Sequence, residues 1–152
     1  ATTPAEMYRA VLESTAFGTY TIIRQLEEGG VPITELYACG GLPGKNPLLM
    51  QIFADVTDRE IKVSASDQTV ALGSAMWGAV AAGVEAGGYA DITAAAQKMA
   101  RLRDTVYRPD RDAHAAYGRL YGVYRRLHDL FGREGGDAAM KELKAIRRGV
   151  HG

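Results

Sequence analysis

The sequence is poor in the residues that build reactive or cross-linked sites. One cysteine, Cys39, stands in 152 residues, so an internal disulfide framework is excluded. A cysteine zinc site is excluded with it, and three scattered histidines (His114, His128, His151) do not replace the missing thiolates. Charge of one sign is also lacking. Eighteen basic and eighteen acidic side chains cancel, which gives no sign of a nucleic-acid protein. No apolar run reaches the ~18 residues of a membrane span. Neither a signal h-region nor an Arg-rich transit segment is present, and there is no initiator Met. The reduced single thiol and the absence of a leader lead to the expectation of a cytoplasmic domain cut from a longer protein.

What is present is ordinary for a folded domain: 47% hydrophobic and 24% charged residues. The length suits one domain with a real core. Charge is uneven along the chain. Residues 1–100 carry 6 basic and 11 acidic side chains, net −5, and residues 101–152 carry 12 and 7, net +5. The later Arg residues alternate with Asp and Glu, which reads as a solvated helical face and not as an anion-binding block.

Helices and short strands alternate, with helices dominant. Thr3-Pro4-Ala5-Glu6 is a capping box with Pro at the first helical position. Met7, Val11, Gly18, Ile22 and Leu26 then mark one stripe expected to be buried, and Gly29-Gly30 stops the helix. A kink near Phe17-Gly18 is compatible with the pattern. Residues 35–39 read as a strand buried on both faces. Asn46 caps a second helix with Pro47 at its first position, burying Leu49, Ile52, Phe53 and Val56. Residues 60–64 alternate as a second strand, and strand, helix, strand makes a parallel crossover the default.

Ser66-Asp67 is expected to cap a third helix, over residues 68–82, that is rich in small residues and includes Gly73 and Gly78. Interior glycines at roughly 1 kcal/mol each suggest close approach of another backbone or a ligand. A short helix over 91–101 precedes a break at Tyr107-Arg108-Pro109. A long helix over 111–131 carries Tyr117, Leu120, Tyr121, Tyr124, Leu127 and Phe131 on a packing stripe. Asp137 caps a basic tail helix within 133–152 that frays at its end.

Chemistry has one candidate location, Gly40-Gly41-Leu42-Pro43-Gly44-Lys45-Asn46-Pro47. It lies between a strand end and a helix start, where open α/β sheets bind ligands. Paired glycines let backbone approach a planar or phosphorylated group, Lys45 adds charge, and Asn46 can donate and accept. A plain turn that needs glycine for its φ remains the competing reading. No Gly-Lys-Ser/Thr closes it, so it is not a Walker A loop. Asp55, Asp58 and Asp67 are explained by helix ends, His128-Asp129 by a surface pair, and Ser14-Thr15 and Ser64-Ala65-Ser66 have no neighbouring base.

Together, Leu36-Tyr37-Ala38-Cys39-Gly40-Gly41, the Lys45-Asn46-Pro47 turn running into Leu48-Leu49-Met50-Gln51, and Ser66-Asp67-Gln68 followed by Ala71-Leu72-Gly73-Ser74-Ala75 resemble the C-terminal domain of FGGY-family carbohydrate kinases. The Lys-Asn-Pro and Ser-Asp-Gln versions, with the tail from Tyr107 to Gly132, point to the ribulokinase branch. The resemblance implies part of a ribonuclease-H-like, actin-like ATPase fold, helix-rich α/β. It implies phosphoryl transfer from ATP with Mg²⁺ to L-ribulose in arabinose catabolism. Xylulose or glycerol as the sugar, and a non-catalytic binding or assembly module, are the alternatives. Gly40, Gly41 and Leu42 would face the adenosine and phosphates, with Asn46 near the adenine. The helix around Gly73 would join the two domains. The phosphate loop, sugar site, catalytic aspartate and Mg²⁺ ligands would lie upstream of position 1. The chain alone is therefore expected to be inactive, to need that upstream domain as partner, and to self-associate through an exposed sheet edge, without nucleic-acid or membrane partners.

Overall fold

The computed structural model describes residues 1–133 and 138–150. The capping box forms as read. The Thr3 amide donates to Glu6 Oε2 at 2.7 Å, and the Glu6 amide donates to Thr3 Oγ1 at 3.3 Å. It opens helix α1, Pro4–Glu28, which runs unbroken to Gly29, with Gly30 at φ 86° beyond it. Strand β1, Leu36–Ala38, leads through the glycine turn into a four-residue helix α2, Leu42–Lys45, that the sequence reading did not anticipate. Helix α3, Pro47–Thr57, follows, and Asp58 ends it in the left-handed region at φ 54°.

Strand β2, Ile61–Ser64, pairs parallel with β1 in the register Leu36↔Ile61 and Ala38↔Val63. Helices α4, Thr69–Ala82, and α5, Ile92–Met99, pack on each other. Strand β3, Leu102–Tyr107, then pairs antiparallel with β2 to give the order β1-β2-β3. Helix α6 spans Arg111–Gly132 and α7 spans Ala139–Val150. The expected Asp137 cap lies outside the described residues. Among the described residues no helix is long and apolar enough to cross a membrane.

Helix α3 lies at the centre of the core. Its Leu49, Met50, Ile52 and Val56 meet Leu12, Ala16 and Phe17 of α1 and Tyr117 and Tyr121 of α6. Of the packing stripe read on α6, Tyr117 and Tyr121 are buried and Tyr124 packs against the core, whereas Leu120, Leu127 and Phe131 are exposed. Phe17 sits 5.9 Å from Tyr121 and 5.4 Å from Tyr124, ring to ring, and Tyr20 sits 4.8 Å from Tyr121. Such pairs add about 0.5–1.5 kcal/mol each beyond area burial. Their hydroxyls are satisfied across the interface: Tyr117 donates to Glu13 at 3.1 Å and accepts from Arg9 at 2.9 Å, and Tyr121 meets Thr21 at 3.1 Å.

Three expectations are corrected. Met7, Val11, Ile22 and Leu26 are exposed, and α1 buries Leu12, Ala16, Phe17 and Ile23 instead. The two stripes lie about 100° apart, one residue step round the helix. The aromatic partners on α6 select the stripe that holds Phe17. Strand β1 is not buried on both faces, because Tyr37 is 56% exposed, with Lys62 Nζ 5.4 Å from its ring centroid. Helix α4 is not capped by Ser66 or Asp67. Its N-cap residue is Gln68, with no side-chain cap bond, while Ser66 Oγ accepts from the Gln68 amide at 3.2 Å.

Candidate functional site

The glycine turn leaves the C-terminal end of β1 at the exposed Cys39. Gly40 takes φ 80°, a left-handed conformation that other residues rarely adopt, so the bend itself requires glycine there. Among the described residues other than its chain neighbours, no atom lies within 4 Å of where its Cβ would be. Gly41 has an ordinary helical conformation, φ −79° and ψ −17°, and no conformational need to be glycine. A Cβ on it would stand 3.9 Å from Lys45 Cε and 4.0 Å from Lys45 Nζ. Among the described residues other than chain neighbours, only the end of Lys45 comes within 4 Å of a Cβ position at 40–41. Asn46 ends α2 and caps α3, its Oδ1 accepting from the Leu49 amide at 3.0 Å.

A second segment comes to the same place. The chain leaving β2 turns at Ser66-Asp67-Gln68, and Arg103 on the adjoining β3 holds it. Arg103 Nε donates to the Ser64 carbonyl at 3.3 Å and Nη2 to Asp67 Oδ1 at 2.7 Å. Its Nη1 stands 3.4 Å from where a Cβ on Gly44 would be. Gly41, Gly44, Lys45, Asp67, Gln68 and Arg103 line one polar cleft of about 460 Å³. That volume lies within the ~300–1,000 Å³ of small-molecule sites.

The residues named from sequence therefore divide. Gly41 lines the cleft. Leu42 faces a separate apolar groove of about 260 Å³, with Tyr37, Pro43, Met50 and Phe53. Gly40 supplies the bend between the two, and Asn46 is a helix cap. Arg103 was missed, because it sits on a strand that no hydropathy pattern announced.

Several other polar groups have structural partners. Asp55, buried, accepts from Gln51 Nε2 at 2.8 Å and from the Asp110 amide at 2.9 Å, fastening α3 to the start of α6. His114 Nδ1 lies 2.9 Å from the Asp55 carbonyl oxygen. His128 and Asp129 form the surface pair read from sequence, at 3.1 Å. At the far side of β1, Glu35 receives hydrogen bonds from Lys62 and Tyr37, which hold its carboxyl below the usual carboxylate range. Among the described residues no group of three or more His, Cys, Asp or Glu side chains converges on a metal position. Asp67, the one carboxylate in the cleft, is already engaged by Arg103, so these residues do not fit a Mg²⁺ site.

Residues 1–82 match the family described as "FGGY family of carbohydrate kinases, C-terminal domain". A ribulokinase of Halalkalibacterium halodurans is 57% identical over 150 residues, 99% of this chain and 26% of that protein. A ribulokinase of Mycolicibacterium smegmatis is 42% identical over 146 residues, 96% of this chain and 25% of that protein. The crystal structure of a xylulose kinase from Rhodospirillum rubrum aligns over 84% of this chain and 25% of its own, with TM-score 0.66 and 27% identity. A ligand-bound xylulose kinase from Lactobacillus acidophilus aligns over 82% of this chain and 24% of its own, with TM-score 0.70 and 25% identity. The chain spans about a quarter of the length of these relatives.

Proposed function

The chain belongs to the FGGY family of carbohydrate kinases, in its C-terminal domain, and from that premise we propose that it forms the nucleotide side of an ATP-dependent sugar kinase acting on L-ribulose. One observation carries the placement: Gly41 of the glycine turn and Asp67-Gln68 of the later segment, distant in sequence, line a single polar cleft beside the parallel strand pair. Bare backbone at 40–41 leaves room for the adenosine, and cationic side chains stand where phosphates would lie. Ribulose is favoured over xylulose because relatives named ribulokinase reach 57% identity, against 27% for a xylulose kinase. The product, L-ribulose 5-phosphate, belongs to arabinose breakdown, and the use of ATP supports a cytoplasmic location.

Phosphoryl transfer needs positioned phosphates, a metal and a base for the incoming hydroxyl. This chain's contribution is to bind and orient the nucleotide. The metal ligands, the base and the sugar contacts are assigned to the remaining three quarters of the enzyme, which closes on this face. Asn46, whose Oδ1 accepts from the Leu49 amide, has an amide nitrogen without a partner among the described residues to offer the adenine.

Calorimetric titration of ATP into the intact enzyme and its Gly41→Val variant tests the reading. The backbone at Gly41 accepts Val without strain, and the nearest atoms are the flexible end of Lys45. Binding should weaken at least about tenfold as the methyl groups enter the cleft. Unchanged binding refutes the site. A coupled assay offering L-ribulose, D-xylulose and glycerol decides the sugar, with ribulose expected to give the highest kcat/KM.

A further inference from the structure

Two cationic side chains reach over the glycine turn from different parts of the chain. Lys45 Nζ lies 4.0 Å from the Cβ position of Gly41, and Arg103 Nη1 lies 3.4 Å from that of Gly44. A Cβ on Gly44 would touch the guanidinium. Lys45 is exposed and has no ion pair or hydrogen bond among the described residues. Arg103 spends Nε on the Ser64 carbonyl and Nη2 on Asp67, leaving Nη1 without a partner among the described residues. The lining of the cleft thus carries two positive charges and one negative.

We propose that Lys45 and Arg103 form a clamp for the polyphosphate of the nucleotide, with Asp67 fixing the guanidinium so that Nη1 faces the turn. The proposal rests on the nucleotide reading of this cleft and assigns to it which end of the ligand lies there. A neutral sugar or a bare purine has no charge to offer these groups. A di- or triphosphate accepts hydrogen bonds from both and relieves their mutual repulsion. The Asp67 pair restricts the Arg103 side chain before the ligand arrives, which lowers the ordering cost of the contact. Arg103 sits on β3 and Lys45 ends α2, so the clamp also ties the two segments that border the cleft.

Titrations of ATP, ADP and adenosine into the intact enzyme test it, with Lys45→Gln, Arg103→Gln, Asp67→Asn and Gly41→Val. Loss of either cation should raise the Kd for ATP and ADP about tenfold, because a charge-assisted hydrogen bond disappears. Adenosine should bind as to the wild type. Asp67→Asn should weaken ATP and ADP less than Arg103→Gln does, since it loosens the guanidinium but leaves its charge in the cleft. Were Arg103 only a brace for the 66–68 segment, Asp67→Asn would reproduce Arg103→Gln and adenosine would weaken along with ATP. That result overturns the clamp, as does ATP binding that is indifferent to both cations. Lys45→Gln alters an exposed side chain and keeps the test sound should Arg103→Gln fold poorly. Gly41→Val separates the two levels. If it weakens adenosine while the cation variants bind ATP normally, the clamp alone fails. If it leaves all three ligands untouched, the nucleotide reading fails with it.

Discussion

Asn46 shows how one residue can hold two roles that sequence cannot separate. Its place beside the glycine turn marks it for the ligand, and its place before Pro47 marks it for the helix. The structure gives it the second role through Oδ1 and the Leu49 amide. Replacing it by Ala should destabilise the domain by about 1 kcal/mol, the usual cost of a lost N-cap. Asn46→Asp keeps an acceptor at the same place and should restore most of that stability. Chemical denaturation reads the stability and ATP titration reads the ligand contact. If Asn46→Asp restores folding but not affinity, the amide nitrogen serves the nucleotide. If both return together, the residue is a cap alone. Asp55 carries a similar lesson. Its carboxylate is buried because the Asp110 amide and Gln51 need an acceptor there, and nothing about its sequence position distinguishes it from a catalytic acid.

At the scale of elements, features that rest on local chemistry were legible. The Thr3–Glu6 box, the Asn46-Pro47 start, the Gly29-Gly30 stop and the alternation of Ile61 and Val63 each follow from a few neighbouring residues. Features decided by distant neighbours were not. Helix α1 has two adjacent apolar stripes, and only the tyrosines of α6 choose between them. Strand β3 was overlooked because Arg103 and Asp104 interrupt its apolar residues. Arg103 went unnoticed with it, and the cleft lost half its cationic lining. Helix α4 poses the converse case. Its glycines suggested close packing, yet a Cβ at Gly73 or Gly78 meets nothing within 4 Å among the described residues. Within this chain alone they only weaken the helix. Gly73→Ala and Gly78→Ala should each raise the stability of the 152-residue chain by up to about 1 kcal/mol in thermal unfolding. In the intact enzyme we expect the opposite pressure, because a helix joining two domains needs those positions small. Gly73→Leu should lower kcat there, and normal turnover would remove the joint from consideration.

The whole molecule explains why the exposed surface is so apolar. Helix α4 is hydrophobic all round, which in a water-soluble protein marks a buried helix. Here Val70 is 86% and Trp77 is 62% exposed, and only Met76 is buried. The second stripe of α1 adds Met7, Val11, Ile22 and Leu26 to the open surface. The sheet has three strands, and the short β1 forms one edge of it. The chain spans about a quarter of the length of the relatives it matches, and the proposed function assigns the cover of these faces to the remaining three quarters. Expressed alone, the chain should associate with itself in a concentration-dependent way, because contiguous apolar patches of this kind seek cover. It should also show no phosphoryl transfer, because the base and the metal ligands are assigned to the remaining three quarters of the enzyme. Sedimentation velocity across a concentration series reads the first property, and a coupled ADP-release assay reads the second. Val11→Glu with Ile22→Glu should reduce the association without lowering the melting temperature, since both side chains point away from the core. A chain that stays monomeric at every concentration would mean that these faces are tolerated in water. Turnover by the chain alone would mean that a base lies within it, and the division of labour argued for the enzyme would have to be abandoned.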